Sequence, residues 1–180
     1  MVLLQPGLGP ARVTLPPYVT TVDADVRELR AADHLLLELA AELALPEGAF
    51  GCTHLVCGER PRVVLSFATA SADTARRLAA KGYEVTDGAP DEVGRAVLYP
   101  GSAELTGTLT IAELLARSAI GGVVVLGAPG EPPPSQRVVT RDHVRPQWQD
   151  GELVLTLQPA AGGVLVPFEV PDPTPCCADH

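Results

Sequence analysis

Two extended segments, 52–57 (Cys-Thr-His-Leu-Val-Cys) and 62–68 (Arg-Val-Val-Leu-Ser-Phe-Ala), are separated only by Gly58-Glu59-Arg60-Pro61. So short a polar turn joins antiparallel neighbours and nothing else, which makes this hairpin the anchor for the pattern on either side. Upstream, Val26, Leu29, Leu36, Ala40 and Leu43 recur at spacings of three, four and seven and stack on one helical face. Asp23 or Asp25 is expected to cap this helix, and Pro46 with Gly48 to end it. Before it, 12–15 (Arg-Val-Thr-Leu) reads as a strand stopped by Pro16-Pro17. Downstream, Ser71 is the expected N-cap of a helix over 72–80 with Ala75, Leu78 and Ala79 as its apolar stripe; Gly82 closes it and 83–86 resumes extended structure.

The order over the first 88 residues is therefore β-α-β-β-α-β, which resembles the ferredoxin-like split βαβ arrangement. Gly88-Ala89-Pro90-Asp91 marks a boundary. Beyond it come a strand over 95–99, a helix from Thr110 with Glu113 at the capping-box position, and a strand over 123–126. The loop 127–135 carries three consecutive prolines and reads as a stiff exposed connection. Strands over 138–140, 153–157 and 164–170 follow, separated by the turn signals Asp150-Gly151 and Ala161-Gly162-Gly163. The expected fold class is α+β: a ferredoxin-like βαββαβ half over 1–88, a second α+β half over 89–170 built as a βαβ unit extended by antiparallel strands, and a Pro/Cys-rich tail over 171–180. With only 4% aromatic residues, the core is aliphatic.

Charge excludes several partners. The formal charge is −9, with 13 basic side chains against 22 acidic ones and no basic stripe, which argues against nucleic acid and anionic membrane surfaces. The longest apolar runs fall far short of the roughly 20 residues a spanning helix needs. The first residues, Met-Val-Leu-Leu-Gln-Pro-Gly, lack a basic n-region and a long apolar run, so the expected location is cytoplasmic.

The chemistry-bearing residues are unevenly placed. Of four Cys and four His, Cys52, His54 and Cys57 fall within six residues, and Cys176, Cys177 and His180 within the last five. Thiolate and imidazole together suit Zn²⁺. On an extended strand Cys52 and His54 share a face while Cys57, an odd number of positions away, points elsewhere and reads as a core thiol. The prolines of the tail extend it, so that it can deliver Cys176, Cys177 and His180 to Cys52 and His54. This is the expected metal set, and zinc the expected cofactor.

A second cluster lies in 141–148 (Arg-Asp-His-Val-Arg-Pro-Gln-Trp), a non-periodic segment that gathers Arg141, Asp142, His143, Arg145 and Trp148, the only tryptophan. Such a mixture suits a small anionic or planar ligand or a protein partner. The Asp-His dipeptides at 33–34, 142–143 and 179–180 are poor acid-base pairs, because adjacent side chains diverge on helix and strand alike. Two functional classes follow: a cytoplasmic zinc-binding protein, or a ligand-binding or assembly module without metal, acting as a homodimer or with a protein partner. Whether the chain is an enzyme through Cys or His chemistry stays open.

Overall fold

The computed structural model describes residues 14–90 and 94–171. The chain runs through β1 (Tyr18–Val26), α1 (Leu29–Glu42), β2 (Phe50–Val56), β3 (Arg62–Thr69), α2 (Asp73–Ala80), β4 (Glu84–Asp87) and β5 (Arg95–Leu98). A short 3-10 turn, Ser102–Glu104, leads to β6 (Thr108–Thr110), α3 (Ile111–Arg117), β7 (Gly122–Val125), β8 (Arg137–Val139), β9 (Gln147–Gln149), β10 (Glu152–Ala160) and β11 (Val164–Pro167). The protein is mixed α+β, with three helices and eleven strands among the described residues.

All eleven strands belong to one mostly antiparallel sheet of order β4-β1-β3-β2-β5-β9-β10-β11-β8-β6, with β7 laid parallel on β10. The β2–β3 hairpin forms as expected, with Cys52 opposite Ser66 and His54 opposite Val64. β5 pairs with β2 on one side and β9 on the other, which carries the sheet from the first half of the chain into the second. β6 and β7 flank α3 but pair with different strands, β8 and β10. The turn between β9 and β10 is Asp150-Gly151, both at positive φ (51° and 80°), the backbone that a two-residue type I′ turn requires.

The first strand lies after Pro16-Pro17, not before. Arg12 and Val13 lie outside the described residues, and Thr14 and Leu15 are not in a strand. Proline has no N–H to give a ladder, whereas 18–26 is rich in the β-branched residues that suit a pleated surface. Val26 therefore ends β1 instead of opening the helix. Asp23 and Asp25 do not cap α1: the Asp23 carboxylate accepts from Arg62 Nε (2.5 Å) and from the Asp25 backbone N–H (3.0 Å). The N-cap is Glu28, without a side-chain cap bond. Ser71 is not the N-cap of α2 either: that position is Ala72, without a side-chain cap bond, although Ser71 Oγ accepts from the Asp73 N–H at 3.2 Å; Thr110 with Glu113 closes a full capping box on α3.

Alternation along β2 and β3 sorts the core into two layers. Val63, Leu65 and Phe67 pack with Leu36 and Leu39 of α1, Leu43 at its C-cap and Leu78 of α2. Phe50, Cys52 and Ala68, on the opposite face, join Trp148 of β9 and Leu153, Leu155 and Leu157 of β10. Both layers are mainly aliphatic. No described helix is long and apolar enough to cross a membrane.

Candidate functional site

The face of the sheet turned away from α1 and α2 carries a cavity of about 430 Å³. Its lining is mostly apolar, with Val19, Phe50, Ala68 and Trp148 among its walls. Cys52, His54 and Ser66 converge on it from the sheet, and Asp150 of the β9–β10 turn stands at its edge. They meet because Cys52 and His54 are two apart on β2, and Ser66 lies opposite Cys52 on β3. His54 Nε2 and Ser66 Oγ are 2.8 Å apart and buried. Phe50 and Trp148 close one wall, with ring centroids 5.7 Å apart and planes tilted by 51°.

Burial pushes the Cys52 thiol up to about 11, against weaker opposing hydrogen bonds from Trp148 and Ser66. At neutral pH it is a neutral thiol, and no thiolate nucleophile is in place. Gly94 forms part of the floor. A Cβ there would sit 2.9 Å from His54 Cε1, 3.1 Å from Cys52 Cβ and 3.4 Å from its sulfur, so the backbone just before β5 comes this close without displacing His54 because the residue is glycine.

The expected ligands divide accordingly. Cys52 and His54 share a face and a cavity, as their parity requires. Cys57 is a correction: it lies beyond the end of β2 and is exposed, not a core thiol. Cys176, Cys177 and His180 lie outside the described residues. Among the described residues no three His, Cys, Asp or Glu side chains group as a metal site.

The 141–148 segment is split across the sheet. Trp148, only 7% exposed, belongs to the apolar cavity. Arg141 and Asp142 are exposed at positive φ, and the Asp142 carboxylate accepts from the Gly107 N–H (3.0 Å). His143 and Arg145 turn to the helix side, where a second cavity of about 880 Å³ contains a charge network. There Arg95 forks onto Asp33, and Arg145 Nε donates to the same carboxylate at 3.0 Å. Arg95 also grips Glu169, which accepts in turn from His143 Nε2 at 3.1 Å. No family model, curated protein or solved structure matches this chain. Its functional reading therefore rests on these two cavities.

Burial alone raises the carboxyls of Asp33 and Glu169. The hydrogen bonds and charge of Arg95, helped by Arg145 at Asp33 and His143 at Glu169, outweigh it and hold both below the ordinary carboxylate range. Burial likewise pulls Arg95 down, and Glu169 and Asp33 reverse it, so the guanidinium stays charged.

Asp33, Arg95, Glu169 and Ser66 were not among the expected site residues. Asp33 did leave a signal: it sits at the fourth position between Leu29 and Leu36, inside the apolar stripe of α1. A carboxylate in such a stripe must be buried against a cation.

Proposed function

We propose that this chain is a binding module for a small, mainly apolar molecule, held in the cavity between β2, β3 and Trp148. The observation that carries the reading is the convergence of His54 and Ser66, hydrogen-bonded at 2.8 Å, in a mostly apolar pocket of about 430 Å³. That size and that balance, an apolar wall with a few convergent polar groups, are what small-molecule sites share. The aromatic and aliphatic walls receive the body of the ligand; Ser66 and His54 orient one polar group. Trp148, the sole tryptophan, makes the cavity self-reporting. Titration with the neutral probe N-phenyl-1-naphthylamine should give energy transfer from Trp148, and Ala68→Phe, which fills the pocket, should abolish it with circular dichroism unchanged. Undiminished probe binding by the folded variant would refute the site.

Zinc is the second reading, favoured by one observation: Cys52 and His54 both approach the same point above Gly94. Two ligands from β2 require others to complete a tetrahedron, and Cys176, Cys177 and His180 are the proposed source. Binding must also remove a proton from a thiol that burial holds at about 11. Metal analysis of protein purified without chelator decides it: stoichiometric zinc supports the reading, and its absence, with stability unchanged on removing 172–180, ends it.

The ferredoxin-like reading of the first half is likewise proposed. It is supported by the antiparallel order β4-β1-β3-β2 with α1 and α2 packed on one face.

A further inference from the structure

The cavity on the helix side centres on Arg95, whose side chain is only 10% exposed. All five of its N–H donors are engaged. Nε donates to Glu169 Oε2 (2.7 Å) and Nη2 to Glu169 Oε1. Nη2 also donates to Asp33 Oδ2 (3.1 Å), while Nη1 donates to Asp33 Oδ1 (2.5 Å) and Thr53 Oγ1 (3.1 Å).

The two carboxylates on this fork are not equivalent. Asp33 is fixed within α1, is 9% exposed and is shared with Arg145. Glu169 follows the end of β11, lies in no helix or strand and is 32% exposed at the cavity mouth. Around that mouth stand Leu37, Leu55 and Phe168, at 42%, 63% and 56% exposure, large apolar side chains facing solvent beside a buried cation.

We propose that Arg95 and His143 form a receptor for the carboxylate of an acidic ligand with an apolar body, and that Glu169 is the chain's own occupant, displaced when that ligand binds. The planar guanidinium fork matches a carboxylate in two-point contact, the contact Glu169 already makes. With Glu169 withdrawn, two guanidiniums, Arg95 and Arg145, face the single carboxylate of Asp33. A ligand carboxylate restores the balance like for like, whereas a neutral group leaves a buried cation uncompensated, which selects against it. The apolar rim covers the ligand's body and favours it over a bare anion. This site is separate from the cavity at His54 and Ser66 and does not depend on that reading.

Phenylacetate and phenylacetamide share a shape and differ in charge, so they serve as the probe pair. The Glu169→Ala variant should bind phenylacetate at least about tenfold more tightly than the native chain, because a competing charged hydrogen-bonding group has been removed. Its affinity for phenylacetamide should not rise, and the His143 ring resonances should shift on phenylacetate binding to either form. Equal affinity of variant and native chain, equal binding of acid and amide, or an unmoved His143 overturns the proposal. If Glu169→Ala is unfolded, phenylacetate should refold it where phenylacetamide does not; failure to refold also overturns the proposal.

Discussion

Asp33 of α1 and Arg95 of β5, 62 positions apart in the chain, meet in a two-point contact (Nη1 to Oδ1 2.5 Å, Nη2 to Oδ2 3.1 Å) with both side chains about nine-tenths buried. The pair joins the first helix to the strand through which the sheet passes into the second half of the chain. Desolvating both charges costs energy that the contact offsets only while it is complete.

Asp33→Asn breaks that completeness without changing shape. Arg95 loses one of two carboxylates and Arg145 the one it touches through Nε, which leaves buried positive charge uncompensated. Breaking a buried pair from one side costs about 3–5 kcal/mol, a large part of the 5–15 kcal/mol typical of a domain. The urea midpoint should fall accordingly with an unchanged m-value. A loss below about 1 kcal/mol would mean that the carboxylate contributes little to the fold.

Acid should act through the same network. Asp33 and Glu169 are both held below the ordinary carboxylate range in the folded chain, so the unfolded chain binds protons at a higher pH than the folded one. Their contribution is fully present above the unfolded values, about pH 4–5, and is lost as the pH falls through the folded ones. Melting temperature measured from pH 7 to pH 2 should be level at first and then fall steeply below about pH 4. Glu169→Gln should make that fall shallower, while a profile identical to that of the native chain would remove Glu169 from the account.

The hairpin, the two helices around it and the capping box were legible because each depends on local spacing: turn length, three-four periodicity, Thr110 three residues before Glu113. The face shared by Cys52 and His54 was legible for the same reason, since strand parity is local. The position of Cys57 was not, because parity holds only while the strand lasts and β2 ends at Val56. Ser66 and Arg95 escaped notice for a different reason. Nothing near them in sequence announces a partner; Ser66 acquires His54 through cross-strand register, and Arg95 acquires Asp33 and Glu169 from 62 positions before it and 74 after it. Likewise 141–148 looked like one cluster, but β9 turns Trp148 to one face of the sheet while His143 and Arg145 serve the other.

The two described thiols should differ sharply toward alkylation. Cys57 is exposed, whereas Cys52 is buried and its thiol is pushed up to about 11. Reaction requires the thiolate, and at pH 8 a group at that value is ionised about two orders of magnitude less than an ordinary cysteine near 8.5, before access is considered. Iodoacetamide with peptide mapping should label Cys57 long before Cys52 in the native chain, and equally once urea unfolds it. Comparable native rates would place Cys52 in an environment other than the buried wall described.

Gly94 and Gly48 offer a matched pair for the geometry of the apolar cavity. A Cβ at Gly48 meets nothing within 4 Å, whereas one at Gly94 comes within 2.9 Å of His54 Cε1 and 3.1 Å of Cys52 Cβ. Neither glycine has a positive φ, so Gly→Ala tests space at both positions rather than backbone strain. Gly94→Ala should cost about 1–3 kcal/mol from overpacking, because His54 must move and stretch its bond to Ser66. Gly48→Ala should be neutral or slightly stabilising through the unfolded chain. The same displacement narrows the cavity from below, so Gly94→Ala should also weaken N-phenyl-1-naphthylamine binding while Gly48→Ala leaves it unchanged. Equal stability and equal probe affinity in the two variants would show that Gly94, just before β5, does not form the floor of this cavity, and the site would have to be redrawn.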